Sequence, residues 1–137
     1  MDVRIEDDAD DTVFKALLDG MRVFNRAAIP DLYSRKITVA IRDATGTVRG
    51  GTIGRIAADS MYVEVVWTDD GVRGTGLGRR MMLMLEAEAK TSGARESWLY
   101  TMSFQAKPFY EKLGYSQFAE LPWHHGKHTR HFMRKDL

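Results

Sequence analysis

The sequence has no cysteine, only three prolines, almost no net charge and no apolar run of membrane length. The missing cysteine excludes a disulfide framework, a thiol nucleophile and a thiolate-held metal, although it says little about compartment. Lys and Arg number 20 against 19 Asp and Glu, a net charge of +1. No global field therefore draws the chain to nucleic acid or to a membrane surface. The opening residues Met-Asp-Val-Arg-Ile-Glu-Asp-Asp lack the charged-then-apolar pattern of a signal segment, and a cytoplasmic location is expected. The 137 residues, 44% of them apolar, suffice for one core of two or three layers. A single domain over residues 1–137 is expected, with no repeat, linker or low-complexity segment.

What is present centres on Tyr62 to Ser92. Val63 to Trp67 is an apolar run broken only by Glu64, which suits a strand covered on both faces. Further on, Leu77, Met81, Met84 and Leu85 recur at helical spacing. Arg79, Arg80, Glu86 and Lys90 fall largely elsewhere, and Gly93 supplies a stop, so an amphipathic helix is predicted. Between strand and helix, Gly74, Gly76 and Gly78 strip side chains from the first helical turn. Free backbone N–H groups and the positive end of the helix dipole then make an anion site, to which Arg73 and Arg79 add charge. Two kinds of donor suit a pyrophosphate better than a lone carboxylate. A nucleotide P-loop is excluded because no Lys-Ser or Lys-Thr follows these glycines except Lys90-Thr91, a helix too late. A dinucleotide fingerprint is excluded by the G-x-G-x-G spacing and by the lack of a strand-helix-strand unit ahead of it.

Elsewhere, Val3 and Ile5 alternate with charged residues as a short first strand would. The acidic run Asp7 to Asp11 offers an N-cap to a helix whose stripe is Val13, Leu17, Met21, Phe24 and Ala28, widened by Phe14 and Leu18 and closed by Pro30. Ile37, Val39 and Ile41 alternate up to a turn at Asp43 to Gly46, which predicts a hairpin. The returning strand carries Gly50, Gly51 and Gly54, a sign of a bulge or a close backbone approach, and Ala58 to Ser60 turns it into the central strand. Ser97 to Met102 reads as another strand, Gln105 to Leu113 as a short helix with Pro108 in its first turn, and Tyr115 to Leu121 with Arg130 to Lys135 as a last hairpin. The order predicts an α/β (α+β) domain: a mixed sheet of about six to seven strands, mostly antiparallel, with helices on both faces. The crossover through the central helix makes the fourth and fifth strands parallel.

The run Arg73-Gly74-Thr75-Gly76-Leu77-Gly78 resembles the R-x-x-G-x-G acyl-CoA pyrophosphate loop of the GNAT superfamily of N-acetyltransferases. Ser103-Phe104-Gln105-Ala106-Lys107-Pro108-Phe109-Tyr110-Glu111-Lys112-Leu113-Gly114-Tyr115 is similar to the A-x-x-F-Y-E-K-L-G-F/Y signature of the same family, at the family's spacing. The two motifs span Val63 to Tyr115, and the helix and hairpin ahead of them agree in pattern only. The resemblance implies strands four and five splayed around a pantetheine arm, acetyl-CoA as co-substrate and no metal. It implies cofactor contacts from Val66, Trp67 and Thr68 through backbone groups, from Arg73 to Arg79 around the pyrophosphate, and from Ser103 and Lys107. Ser103 stands where the family often has Asn. Tyr110 matches the family's usual general acid.

Acetyl transfer from a thioester needs a neutral amine, a polarised carbonyl and a proton for the leaving thiolate. A phenol is a competent donor to a thiolate, which suits Tyr110. Glu64 is placed either to take the amine's proton through water or to pair with Arg55 or Arg73. His124, His125, His128 and His131 lack the partners and helical spacing of a metal set. His128 or His125 is a candidate base at the acceptor mouth, because imidazole titrates near neutrality, and a plain solvated loop is the other reading. Lys127, Arg130, Arg134 and Lys135 bind the cofactor's 3′-phosphate, an anionic acceptor, or nothing. The whole reads as an acetyl-CoA-dependent N-acetyltransferase acting in a ternary complex on a primary amine of a small molecule, peptide or protein. A non-catalytic acyl-CoA-binding or regulatory module is the alternative. A homodimer is left open, and a nucleic-acid-binding domain is disfavoured by the balanced charge.

Overall fold

A computed structural model describes residues 1–137 and divides the chain into two compact units, Met1–Leu32 and Tyr33–Leu137. No helix in it is long and apolar enough to cross a membrane.

The first unit is built on α1 (Thr12–Ala28). The cap comes from outside the helix: the Asp8 carboxylate accepts hydrogen bonds from the N–H groups of Val13 and Phe14 at 2.8 and 2.9 Å. The helix ends where the Ile29 N–H reaches the Asn25 carbonyl at 2.8 Å, one residue before Pro30. Val13, Phe14, Leu17, Leu18, Met21 and Phe24 lie along the predicted stripe, and no residue of α1 is buried. The expected strand at Val3 and Ile5 does not form, and both side chains are fully exposed. Alternation gives a strand its two faces, but only a neighbouring ladder satisfies its N–H and C=O groups, and these residues have none.

The second unit runs β1 (Ser34–Arg42), β2 (Val48–Ala57), β3 (Ser60–Thr68), α2 (Leu77–Thr91), β4 (Glu96–Met102), α3 (Lys107–Lys112), β5 (Ser116–Trp123) and β6 (His128–Asp136). The six strands form one sheet in the order β1-β2-β3-β4-β6-β5. Every neighbouring pair is antiparallel except β3 with β4, the pair joined through α2. The mixed, mostly antiparallel sheet with one parallel pair is the fold expected from the element order.

One core lies between the sheet and both helices of this unit. Ile37, Ile56, Met61, Val63, Leu99 and Met133 from the strands meet Met81, Met82, Leu85 and Ala89 of α2 and Tyr110 and Leu113 of α3. Gly54 is required here: a Cβ on it would stand 2.6 Å from Met61 Sδ and 3.1 Å from Leu85 Cδ1. The residues between the inward ones, among them Tyr62, Trp98, Tyr100, Phe118 and Phe132, line the other face of the sheet, where Tyr62 stacks on Trp98 at 4.4 Å and Phe118 lies 6.2 Å from Phe132.

Two details of α2 differ from the sequence reading. Met84 points outward and Met82 inward, and Glu86 is buried. The carboxylate turns inward because Lys135, on β6, brings its Nζ to 2.6 Å. The same ammonium lies 5.8 Å from the centre of the Tyr115 ring. A partly sealed pair of this kind is costly to break and cheap to replace whole. Lys135→Ala is expected to destabilise the fold by about 3 kcal/mol in denaturant titration, by stranding the Glu86 charge, whereas Glu86→Met with Lys135→Met together recovers most of the loss. Equal losses in the single and double variants would contradict this.

Candidate active site

The sheet opens between β3 and β4. They pair only at Ser60 with Glu96, Met61 with Ser97 and Tyr62 with Trp98. Beyond Tyr62, β3 continues for six residues against β2 alone. The register explains the parting: Gly54 faces Val63 and Ile53 faces Val65, so Glu64 is an extra residue in β3. A bulge bends its strand and sharpens the twist, here away from β4. The glycine-rich strand borders this bulge from the opposite side and carries the expected irregularity itself: Arg49 is an extra residue against β1, and a Cβ on Gly51 would stand 3.0 Å from the Val39 carbonyl oxygen. From Val63 to Thr68 the edge of β3 turned toward β4 has no strand partner, which leaves backbone N–H and C=O groups of the Val66 to Thr68 stretch facing the gap.

The glycine turn starts from a fixed point. Asp69 is held by Arg49 at 2.7 Å, its N–H bonds the Arg49 carbonyl at 2.9 Å, and its carboxylate accepts the Val72 N–H at 3.1 Å. Val72 is buried, and from it the chain swings outward through Gly74 and Gly76, whose φ values are +74° and +82°. Those angles suit glycine and strain any other residue. Gly76 is the N-cap of α2 and gives no side-chain cap; only the Leu77 N–H has a weak acceptor, Thr75 Oγ1 at 3.4 Å. The first N–H groups of α2 are therefore open, as an anion site needs. Arg73 and Arg79 are exposed, Arg73 in a loose pair with Asp70 at 2.7 Å.

The third element is α3, whose Phe109 ring lies 3.8 Å from the position a Cβ would take on Gly78, where Thr68 also arrives at 4.0 Å. The end of β3, the start of α2 and α3 thus meet at Gly78. Tyr110 follows Phe109, with its ring buried. A Schellman cap fixes it: the Tyr115 N–H bonds the Tyr110 carbonyl and the Gly114 N–H bonds the Glu111 carbonyl, both at 3.0 Å, with Gly114 at φ +98°. The two tyrosine rings meet edge to face at 6.0 Å, and the Tyr115 hydroxyl is tied to Ser97 Oγ at 2.8 Å. Burial pushes the Tyr110 phenol up to about 12. Its hydroxyl has no hydrogen-bonding partner in the chain to offset that.

Glu64 is held in an ion pair with Arg55, and the guanidinium keeps its carboxyl below the usual carboxylate range. His128 opens β6, with Nδ1 3.4 Å from Ser103 Oγ, and that oxygen also accepts the Thr129 N–H at 3.0 Å. Lys107 is the first residue of α3, half-buried and without an ion pair. The basic cluster expected near the C-terminus disperses: Arg134 pairs with Glu96 and Asp136, Lys135 with Glu86, and Arg130 lies over the Tyr100 ring at 5.0 Å, leaving Lys127 exposed. No group of three His, Asp or Glu side chains converges as a metal site would require. The segment Trp123 to His128, read as a loop, is instead a tight strand-to-strand turn that sets Trp123 and His128 against Phe104, with His124 beside Trp123 and His128. Periodicity gave no sign of that cluster, because the β4-β6-β5 pairing assembles it.

The family model of the acetyltransferase (GNAT) domain matches residues 22–117, well over half of the chain. The chain is 36% identical over 93 residues to the blasticidin-S acetyltransferase of Streptomyces morookaense, covering 67% of this chain and 68% of that protein. It is 28% identical over 121 residues to acetyltransferase Atu2258 of Agrobacterium fabrum, covering 88% of each. A crystal structure from Agrobacterium tumefaciens, described as an acetyltransferase, matches it over 100% of both chains with a TM-score of 0.91 and 26% identity.

Gly76 and Gly78 should behave differently on substitution. Gly76→Val puts a β-branched residue at φ +82°, beside the open N–H groups. It is expected to abolish the thermal stabilisation given by acetyl-CoA. At Gly78 the added methyl of Gly78→Ala meets only Phe109 and Thr68 at 3.8 Å and beyond, so binding is retained. Titration calorimetry with acetyl-CoA separates the two, and unchanged affinity in Gly76→Val would refute the loop assignment.

Proposed function

Because the chain belongs to the GNAT family of acetyltransferases, we propose that its single domain over residues 1–137 moves an acetyl group directly from acetyl-CoA to the primary amine of a small molecule or peptide, both bound at once. The open first turn of α2 with Arg73 and Arg79 holds the pyrophosphate, and Lys107 and Ser103 add contacts on the far side of the gap. The pantetheine arm lies between β3 and β4, its amides and the thioester carbonyl meeting backbone groups of Val66, Trp67 and Thr68. The amine nitrogen attacks the carbonyl carbon, the C–S bond breaks, and the thiolate takes the proton of Tyr110. The chain offers no thiol for a thioester intermediate on the protein.

The observation that carries this reading is Tyr110: a buried ring fixed by a helix cap, with a hydroxyl that bonds nothing in the chain and keeps its proton. A phenol raised to about 12 stays protonated while pH rises through the range in which amines lose theirs, near 10. The rate should therefore climb with pH as the amine becomes free, with no fall due to Tyr110 until the pH nears about 12. Tyr110→Phe keeps the ring and removes the donor. It is expected to lower kcat by about 10²- to 10⁴-fold with acetyl-CoA affinity unchanged, less so for donors whose leaving thiols are more acidic. Wild-type turnover would take Tyr110 out of the mechanism, and joint loss of binding would make it structural.

For the amine's proton we assign His128, whose ring is oriented through Ser103, ahead of Glu64, whose carboxylate is neutralised by Arg55 and so is a weak base. His128→Ala should lower kcat across the pH–rate profile while Glu64→Gln leaves the profile intact. The reverse pattern would move the role to Glu64, and two unchanged profiles would hand it to water.

A further inference from the structure

The turn between β5 and β6 is built at a cost. His124 and His125 both have positive φ, 52° and 55°, ahead of Gly126 at 77°. Closing a hairpin on a primed turn needs positive φ at its two central residues, here His125 and Gly126, for which Asn-Gly or Gly-Gly is the easy choice. Two consecutive histidines in the left-handed region cost on the order of 1 kcal/mol each. In return the rings gather. Trp123 lies 6.2 Å from Phe104 and 5.6 Å from His124, and His128 sits 4.8 Å from Phe104 and 6.2 Å from His124, nearly parallel to it. The cluster is not core: Phe104 is 57% exposed and Trp123 42%. Phe104 and Trp123 thus form an exposed aromatic patch beside a strained turn, and a contiguous patch of that kind is suited to a ligand.

Its place in the fold says which ligand. Ser103 and Phe104 follow β4 directly, and the loop is stitched to the start of β6 by the Ser103 N–H on the Thr129 carbonyl at 2.8 Å. On its other side the Ala106 N–H reaches Thr101 Oγ1 at 3.3 Å, and α3 begins one residue later. The rings therefore sit just beyond the C-terminal end of β4, one of the two strands that border the gap. Charge narrows the choice further. The charged residues flanking the rings, Lys127 and Arg130, are cations, and the carboxylate preceding them on β5, Glu120, is turned toward His131 at 3.9 Å. A second ammonium group on the acceptor would be repelled there, whereas a flat ring stacks on Trp123 and Phe104 in any charge environment.

We infer that Phe104 and Trp123, with His124 at their margin, form a stacking shelf that selects acceptors carrying a planar aromatic or heteroaromatic group beside the amine. This rests on the transferase reading above and adds the acceptor class to it. Two amines with the same carbon skeleton test the effect: 2-phenylethylamine carries a flat π-system where 2-cyclohexylethylamine carries a puckered, saturated ring of greater apolar surface. CoA release is expected to give kcat/KM for the phenyl compound about tenfold above the cyclohexyl one, the size of one stacked pair. In Trp123→Leu and Phe104→Leu the apolar surface remains and the stack does not, so the ratio falls toward unity while calorimetric acetyl-CoA affinity holds. Spermidine should be a worse acceptor than either. A ratio near unity in the unaltered protein, or one that persists in both variants, overturns the shelf and leaves the transferase reading standing. Binding of acetyl-CoA without CoA release on any amine, aryl or alkyl, overturns acetyl transfer to amines and the shelf together.

Discussion

One extra residue in β3 shapes the gap around which the candidate site is built. Glu64 ends the parallel ladder after three residue pairs and turns the rest of β3 away from β4. A parallel pair covered by a crossover helix ordinarily closes its edges. Here the edges remain, lined by backbone donors and acceptors that no side-chain substitution removes. The Arg55 partner of Glu64 comes from β2, the strand opposite the bulge, so the ion pair braces the distorted part of the sheet.

The groups around the gap are fixed in unequal ways. On the α2 side, Asp69 and the buried Val72 anchor a turn whose glycines then stand free. On the α3 side, a six-residue helix would be a poor platform alone. Its cap compensates: Gly114 folds the chain back so that Tyr115 packs on Tyr110, and Ser97 holds Tyr115. Behind them the Glu86–Lys135 pair ties α2 to β6 across the same core. Tyr115 and the Glu86–Lys135 pair thus find polar partners in that interior, whereas the Tyr110 hydroxyl alone of the two buried tyrosines has none.

The parts of the site legible in the sequence were those made by neighbours along the chain. Gly74 to Gly78 announce a bare helix start because φ > 0 and absent side chains are properties of the residues themselves, and Phe109 and Tyr110 precede their own stop at Gly114. The stripe of α1 was legible for the same reason. Glu86 was misassigned because its partner is 49 residues away on β6, and a carboxylate reads as solvated until its counter-ion is known. Val3 and Ile5 have the alternation of a strand without a ladder to join. Gly50, Gly51 and Gly54 announced a bulge or a close approach and β2 has both, but the bulge that borders the gap lies in β3, since a ladder's register belongs to two strands at once. Phe104 and Trp123 carry no periodic signal and meet only after β4, β6 and β5 pair.

The short contact between β3 and β4 also divides the sheet mechanically. β1, β2 and β3 form one antiparallel group, a meander, and β4 with the β5–β6 hairpin forms another, and between them stand three residue pairs and the helical layer. Cooperative opening units follow the density of such contacts. The two three-stranded groups are therefore the natural foldons of residues 33–137, with their seam along the gap, and amides beside that seam are the first of the sheet to exchange with solvent. A molecule that spans the gap contacts both foldons, so occupancy of this site is felt as a gain in the cooperativity of the whole unit.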